Sequence, residues 1–124
     1  MNGDTRFEVG RSLEPDRVIL ALSGELDLSA APQLAAEIAR AESDPVRRIL
    51  VLDVDRLTFV DSSGLRVILA AHERALGEPD RAFAVTSGSR QVKRLLEIAG
   101  VEEHLLTLAN PSAPLTPAPG EPAG

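Results

Sequence analysis

The chain changes from strand to helix within residues 49–72, ILVLDVDRLTFVDSSGLRVILAAH. The apolar run at 49–54 is typical of a buried strand, and the residues from Leu65 onward have the spacing of an apolar helix face. Asp61-Ser62-Ser63-Gly64 lies between them. A carboxylate and two hydroxyls therefore stand at a predicted helix N-terminus, where free backbone N–H groups favour an anion. This geometry suits a serine that carries a phosphate.

Strand and helix patterns alternate along the rest of the chain. Strands are predicted at 7–9, 17–23, 49–54, 82–86 and 105–108, and the apolar run 18–22 is typical of a strand covered on both faces. Helices are predicted from an N-cap at Ser29 to Asp44-Pro45, from Ser62 to Leu76 with Leu76 inward, and near Gln91 to Ala99. Crossover connections of this kind indicate an α/β fold with a mostly parallel sheet of four or five strands, flanked by helices.

Composition separates one domain from a tail. A chain of 124 residues is long enough for one hydrophobic core and too short for two. From Asn110 onward the chain is rich in proline and small residues, with five of its nine prolines between Pro111 and Gly124. Such a segment buries too little apolar surface to offset its ordering entropy. We predict a domain over residues 1–109 and a disordered tail over 110–124.

Charge and residue usage exclude several functional classes. The formal net charge of −6 and the aromatic content of 2% argue against a nucleic-acid partner. The absence of cysteine excludes thiol chemistry and cysteine-ligated metal. No apolar run approaches the ~20 residues of a membrane helix, and the first six residues lack the features of a signal peptide. We therefore predict a cytoplasmic protein with no membrane segment.

A catalytic serine is the first alternative for the Asp-Ser-Ser-Gly turn. The Gly-x-Ser-x-Gly arrangement of a hydrolase is absent around Ser62 and Ser63. His72 lies roughly 15 Å along the predicted helix from Ser62, too far to act as its base, and suits the edge of the core. His104 approaches only through a contact that the sequence does not predict. We therefore predict no catalytic residue and no enzyme.

Nucleotide and metal chemistry form the second alternative. The sequence contains neither a Gly-x-x-x-x-Gly-Lys-Ser/Thr loop nor a Gly-x-Gly-x-x-Gly loop. The aspartates at the predicted strand ends suit turns and helix caps better than a magnesium site; they are Asp27, Asp53, Asp55 and Asp61. We predict no cofactor and no metal. Another protein must then supply the ATP, magnesium and base for any phosphorylation.

A basic cluster on the third predicted helix allows two interpretations. Arg90, Lys93 and Arg94 suit a solvated helix face, on which Lys93 and Glu97 form an (i, i+4) pair. The second interpretation is contact with an acidic partner.

Three sequence blocks resemble the STAS domain of bacterial anti-sigma factor antagonists. They are Gly24-Glu25-Leu26-Asp27, then LTFVDSSGL at 57–65 after an apolar strand, and VKRLLEIAGV at 92–101. The blocks keep the order and approximate spacing of that family, and the resemblance spans roughly Phe7 to Leu108. It implies the STAS fold. It also implies that the unphosphorylated chain binds an anti-sigma factor that is a serine kinase, and so frees a sigma factor.

The resemblance also implies the residues of a phosphorylation switch. Ser62 takes the place of the phosphoacceptor, Asp61 is its acidic neighbour, and Asp27 lies on the adjacent loop of the same face. The exposed first turn offered to the kinase comprises Ser63, Gly64, Leu65 and Arg66. Arg66 replaces the family's usual small residue, which bears on the choice of partner. A separate phosphatase resets the cycle. From the turn alone, either Ser62 or Ser63 is open as the acceptor, and either serine also suits capping of the helix.

A non-switching role is the alternative within the same family. Some STAS domains are scaffolds in large signalling complexes or subunits of transport complexes. A partner-switching antagonist is expected to be a monomer or weak dimer, whereas a scaffold forms a large particle.

Overall fold

The computed structural model describes residues 6–86, 90–100 and 105–115. Within these ranges the strands are β1 (Glu8–Glu14), β2 (Arg17–Leu26), β3 (Ile49–Val60), β4 (Ala82–Thr86) and β5 (Leu106–Leu108). The helices are α1 (Ala31–Glu42), α2 (Ser62–Leu76) and α3 (Arg90–Ala99). The predicted apolar strand at 49–54 and the short run at 57–60 form one continuous strand, β3.

The strands form one sheet in the order β1-β2-β3-β4-β5. β1 is antiparallel to β2 across the turn at Pro15 and Asp16, and the other neighbouring pairs are parallel. Each parallel pair is joined by a crossover that contains a helix. The predicted α/β fold with a mostly parallel sheet is confirmed.

The helices cover one face of the sheet with a single apolar core. The buried strand residues of this core include Val18, Leu20, Leu22, Leu50, Leu52, Val54, Phe83 and Val85, and the buried helix residues include Leu34, Ile38, Ala41, Ile68, Ala71, Ala75, Val92 and Leu96. The inward position predicted for Leu76 is wrong, because its side chain is 73% exposed. The inward stripe of α2 passes through Ala71 and Ala75, and Leu76 is turned about 100° from Ala75.

A short segment of the predicted tail covers part of the opposite face of the sheet. Ile19, Val51, Ala84 and Leu108 form a small cluster there, and Ala113 and Leu115 pack against it. We call residues 110–115 the strap. The prediction that residues 18–22 are covered on both faces holds for Ile19, which lies in this cluster, but not for Ala21, which is exposed.

Arg17 ties the strap to the sheet. The residue is only 4% exposed, and its Nη1 donates hydrogen bonds to the carbonyl oxygens of Pro111 at 3.1 Å and Ala113 at 2.7 Å. Its Nε and Nη2 bind the two carboxylate oxygens of Asp16 at 2.9 and 3.1 Å, and this hydrogen bonding lowers the pKa of Asp16. The disorder predicted from Asn110 onward therefore does not extend to residues 110–115. Residues 116–124 lie outside the described residues.

Removing the guanidinium of Arg17 should loosen the strap. In the variant Arg17→Met the apolar stem remains, while two partly buried carbonyls lose their donor, so we expect the free energy of unfolding to fall by about 1–3 kcal/mol. Urea unfolding measures this loss. Arg11→Met, at an exposed arginine of β1, is the control and should leave the stability unchanged. Equal stability of the two variants would contradict the anchoring role of Arg17.

Candidate functional site

Asp61 is the N-cap of α2. Its backbone is extended, with φ −105° and ψ −175°, and its Oδ1 accepts hydrogen bonds from the backbone N–H groups of Ser63 at 2.9 Å and Gly64 at 3.1 Å. Its carbonyl oxygen accepts from the N–H of Leu65 at 3.0 Å. Capping by the serines themselves was the wrong expectation: Ser62 and Ser63 are the first two helical residues. Two of the free N–H groups at this helix end are therefore already bound by a carboxylate.

Gly64 lets the first turn of α2 lie directly against the end of β2. A Cβ at this position would meet the Leu26 side chain, at 2.7 Å from Cδ2 and closer still to Cγ, and the Leu26 carbonyl oxygen at 3.1 Å. Leu26 is fully buried. The same contact region is tied by a hydrogen bond of 3.1 Å from the N–H of Asp61 to the carbonyl oxygen of Leu26. The exposure predicted for Gly64 is wrong, because this residue is buried against Leu26 and can affect the predicted partner surface only through the position of its neighbours.

Adding one methyl group at Gly64 should therefore destabilise the fold. We expect Gly64→Ala to lower the free energy of unfolding by about 1–3 kcal/mol through overpacking against Leu26. At an open helix position the same change stabilises by roughly 0.5–1 kcal/mol, so the sign of the effect is informative. Gly10→Ala is the matched control, because nothing lies within 4 Å of a Cβ built there. Denaturant unfolding that finds Gly64→Ala at least as stable as wild type would contradict this packing.

Asp27 and Asp61 leave the sheet side by side. Each follows directly after one member of the pair Leu26 and Val60, which face each other on the parallel strands β2 and β3. Neighbouring strands lie about 4.8 Å apart, so both aspartates occupy the same edge of the sheet. The predicted juxtaposition of Asp27 with the Asp61–Gly64 turn follows from this register.

The carboxylate of Asp27 organises the loop before α1. Its Oδ1 accepts hydrogen bonds from the hydroxyl of Ser29 at 2.8 Å and from the N–H of Ala30 at 3.1 Å. The predicted N-cap at Ser29 is wrong: Ala30 occupies that position and offers no side-chain hydrogen bond. The hydrogen bond from Ser29, followed by that from Ala30, lowers the pKa of Asp27.

The acid sensitivity of this loop follows from that shift. Because the pKa of folded Asp27 lies below its ordinary value of 3.8, the ionised group stabilises the fold above pH 3.8, and this stabilisation is lost as the pH falls through the folded-state pKa. Ser29→Ala removes the largest cause, so we expect the pKa of Asp27 to rise toward 3.8 in that variant. Carboxyl-carbon NMR titration of both proteins measures the pKa. An unchanged pKa in Ser29→Ala would refute the assignment.

The two serines of the turn differ in exposure. Ser62 is exposed and Ser63 is partly buried. Along the same turn Leu65 is partly buried and Arg66 is exposed, and Arg66 lies four residues after Ser62 on the same side of the helix. The structure thus brings the predicted site residues together, with Ser62 and Arg66 as the outward members.

The other chemical candidates lie away from this turn or in structural roles. His72 is partly buried, and its ring centroid lies 6.2 Å from that of Phe83, as expected for a residue at the edge of the core. Asp53 accepts a hydrogen bond of 3.3 Å from the buried hydroxyl of Thr86. Within the described ranges no cluster of three or more His, Cys, Asp or Glu side chains is arranged to hold a metal ion. His104 falls in the undescribed segment 101–104.

A groove beside the turn was missed by the sequence reasoning. It lies between β3 and α3, has a volume of about 250 Å³, and is lined by Thr58, Phe59, Val60, Val92, Arg94, Leu95 and Ile98. We call it the β3–α3 groove. The sequence contains a sign of the groove at Ile98, which is a large apolar residue off the buried face of α3. It contains no sign at Phe59, because an aromatic residue in a strand is usually buried.

Comparison with known proteins assigns the family. The model of the STAS domain family matches residues 11–113. The chain belongs to the STAS domain family. None of its described helices is long and apolar enough to span a bilayer.

Its relatives include anti-sigma factor antagonists. BtrV of Bordetella bronchiseptica, assigned as such an antagonist, is 34% identical over 83 residues, which cover 67% of this chain and 70% of BtrV. The anti-sigma F factor antagonist of Paenibacillus polymyxa is 32% identical over 84 residues, covering 68% of this chain and 71% of the relative. These similarities support the general role of an anti-sigma factor antagonist, and STAS proteins of this kind are generally not enzymes.

Solved structures agree on the fold. SpoIIAA, a Bacillus cell fate determinant and anti-sigma factor antagonist, is 24% identical in both its unphosphorylated and phosphorylated structures. The TM-scores are 0.65 and 0.60, and the match covers 82% of this chain and 87% and 90% of the SpoIIAA chains.

Proposed function

We propose that this chain is a partner-switching anti-sigma factor antagonist controlled at Ser62. In the unphosphorylated form it binds an anti-sigma factor that is a serine kinase, and a sigma factor is released. The kinase then phosphorylates Ser62 and the complex separates, until a phosphatase removes the phosphate. The observation that carries the proposal is the exposed hydroxyl of Ser62 at the first position of α2, directly after the capping carboxylate of Asp61.

The geometry favours Ser62 over Ser63 as the acceptor. A kinase has to reach the hydroxyl with its own base and with the γ-phosphate of ATP. Ser62 is exposed, whereas Ser63 is partly buried and its N–H is held by Asp61. Existence of a phosphorylated form of SpoIIAA supports the view that this fold accommodates a phosphate.

Phosphorylation changes the charge of the proposed partner surface more than it changes the fold. The phosphate adds about −1.5 to −2 charges beside Asp61 and Asp27, while the helix dipole favours it locally. The N–H groups of Ser63 and Gly64 are already bound to Asp61, so they neutralise little of the new charge. Repulsion of ~3 kcal/mol at an interface weakens binding about a hundredfold.

The proposal also assigns the roles of the two proteins, the residues of the partner surface, the location and the oligomeric state. The kinase supplies ATP, magnesium and base, so the antagonist contributes only a substrate serine and a binding surface. Asp27, Ser63, Leu65 and Arg66 surround Ser62 on that surface, and Gly64 fixes the turn beneath it. We place the protein in the cytoplasm, as a monomer or weak dimer.

Phosphorylation by a cognate kinase tests the proposal directly. The purified chain is incubated with ATP and each anti-sigma factor kinase of its source organism, and the products are mapped by mass spectrometry. We expect phosphate on Ser62 with one kinase, its loss in Ser62→Ala, and its retention in Ser63→Ala. Phosphate found on Ser63 instead, or a chain that no kinase modifies while each modifies another substrate, would refute the site.

Binding of the same kinase tests the charge switch. We expect Ser62→Asp to weaken binding by about tenfold to a hundredfold, since one added charge mimics part of a phosphate. Ser12→Asp, at an exposed serine of β1, adds the same charge elsewhere and should bind like wild type. Thermal unfolding should give similar melting temperatures for both variants. Equal affinity of Ser62→Asp and wild type would contradict the switch.

A further inference from the structure

The β3–α3 groove exists because β3 is longer than its neighbour. β4 pairs with β3 only from Ile49 to Leu52, and β3 continues to Val60. Beyond the end of β4, α3 packs beside β3, and the gap between strand and helix is the groove. Its volume of about 250 Å³ is below the ~300–1,000 Å³ of pockets that hold drug-sized ligands. The groove therefore suits a protein side chain better than a cofactor.

Two large apolar side chains of the groove face solvent. Ile98 is 74% exposed and Phe59 is 47% exposed, while Leu95, which also lines the groove, is partly buried. Exposed aromatic and aliphatic side chains around a concavity are typical of the anchor pockets of protein interfaces. Two residues that line the groove, Phe59 and Val60, directly precede Asp61 and the proposed phosphorylation site Ser62 in the chain.

The charge of α3 is opposite to that of the chain. Arg94 lines the groove, and Arg90 and Lys93 are exposed on the same helix. Among the described residues none of these three cations forms an ion pair within 4.0 Å, and the predicted Lys93–Glu97 pair is not made. The formal net charge of the chain is −6. A cationic patch on an acidic protein selects an acidic partner surface.

We propose that the β3–α3 groove is a second docking site for the anti-sigma factor kinase. It receives an apolar side chain of the kinase that is flanked by carboxylates, and Arg94 binds one of these carboxylates. The inference rests on the proposed function, and it adds an attachment point that stays in place while the kinase acts on Ser62. Docking at this site contributes affinity and selects the partner, because a kinase without the acidic and apolar segment lacks both contacts.

Two aliphatic residues of nearly equal exposure, Ile98 in the groove and Leu76 outside it, provide a matched test. Ile98→Glu places a carboxylate in the apolar groove, and Leu76→Glu places one at a leucine of nearly equal exposure, 73%, at the far end of α2. The probe is the kinase that phosphorylates Ser62, with a non-hydrolysable ATP analogue, and calorimetry measures the affinity. We expect Ile98→Glu to weaken binding at least about tenfold and Leu76→Glu to bind like wild type.

Charge reversal tests the role of Arg94. We expect Arg94→Glu to slow association and to reduce the dependence of the association rate on salt, whereas Arg11→Glu at an exposed position of β1 should change neither. Stopped-flow measurements at several salt concentrations give these rates. In steady-state phosphorylation, Ile98→Glu should raise KM and leave kcat unchanged, as a defect in docking rather than in the turn requires.

The outcomes separate the two proposals. If Ser62→Asp loses the kinase while Ile98→Glu and Arg94→Glu bind like wild type, the groove assignment is overturned and the switch stands. If no kinase binds the wild-type chain, both are overturned. If Ile98→Glu and Leu76→Glu weaken binding equally, the loss is not specific to the groove, and its assignment as a docking site is wrong.

Discussion

The close contact between Gly64 and Leu26 is the constraint on which the site depends. With no Cβ at Gly64, the first turn of α2 can rest on the buried end of β2. Asp61 then lies where it can bind the carbonyl oxygen of Leu26 through its N–H and cap α2 through its carboxylate. Ser62 is the next residue and is exposed. A packing requirement inside the fold thus positions the turn that carries this serine.

In the proposed function a phosphate on Ser62 acts as a surface charge, and the same turn gives the physical reason. A helix N-terminus normally offers several free N–H groups to an anion. Here the Asp61 carboxylate already binds those of Ser63 and Gly64, so the phosphate competes with a preformed cap. Under the proposed function, the domain therefore has little reason to rearrange around the phosphate. The charge remains outside, where a partner meets it.

Much of this fold could be predicted from the sequence because its signals are local. The parallel sheet, the turn at residues 61–64 and the end of α3 at Gly100, with φ +75°, all follow from apolar patterns and from glycine. The errors came from contacts between distant segments. Hydrogen bonds from Arg17 to the carbonyls of Pro111 and Ala113 order the proline-rich strap. No local sequence pattern near Asn110 predicts a contact with a residue more than ninety positions away.

Predictions at the site failed where several polar residues competed for one role. Ser29, Ser62 and Ser63 all suit a helix cap, yet aspartates take the hydrogen bonds at both helix starts: Asp27 before α1 and Asp61 before α2. A carboxylate is the stronger acceptor, and its charge is favoured by the helix dipole. The sequence shows the candidates, whereas the extended backbone at Asp61 decides between them. Because Asp61 caps α2, neither Ser62 nor Ser63 is needed as the cap of that helix.

The two charged regions on either side of Ser62 have opposite signs. On the β2 side lie the carboxylates of Asp27 and Glu25, and on the α3 side lies Arg94 beside the apolar groove. A partner that satisfies both must present cations toward Asp27 and carboxylates toward Arg94, which defines its orientation on the domain. Ser62 is the first residue of α2, two residues after the end of β3 and between these regions. Under the two proposals, a phosphate on Ser62 repels an acidic segment that approaches the groove and leaves the groove itself intact, so that a single modification reverses binding without unfolding either half of the surface.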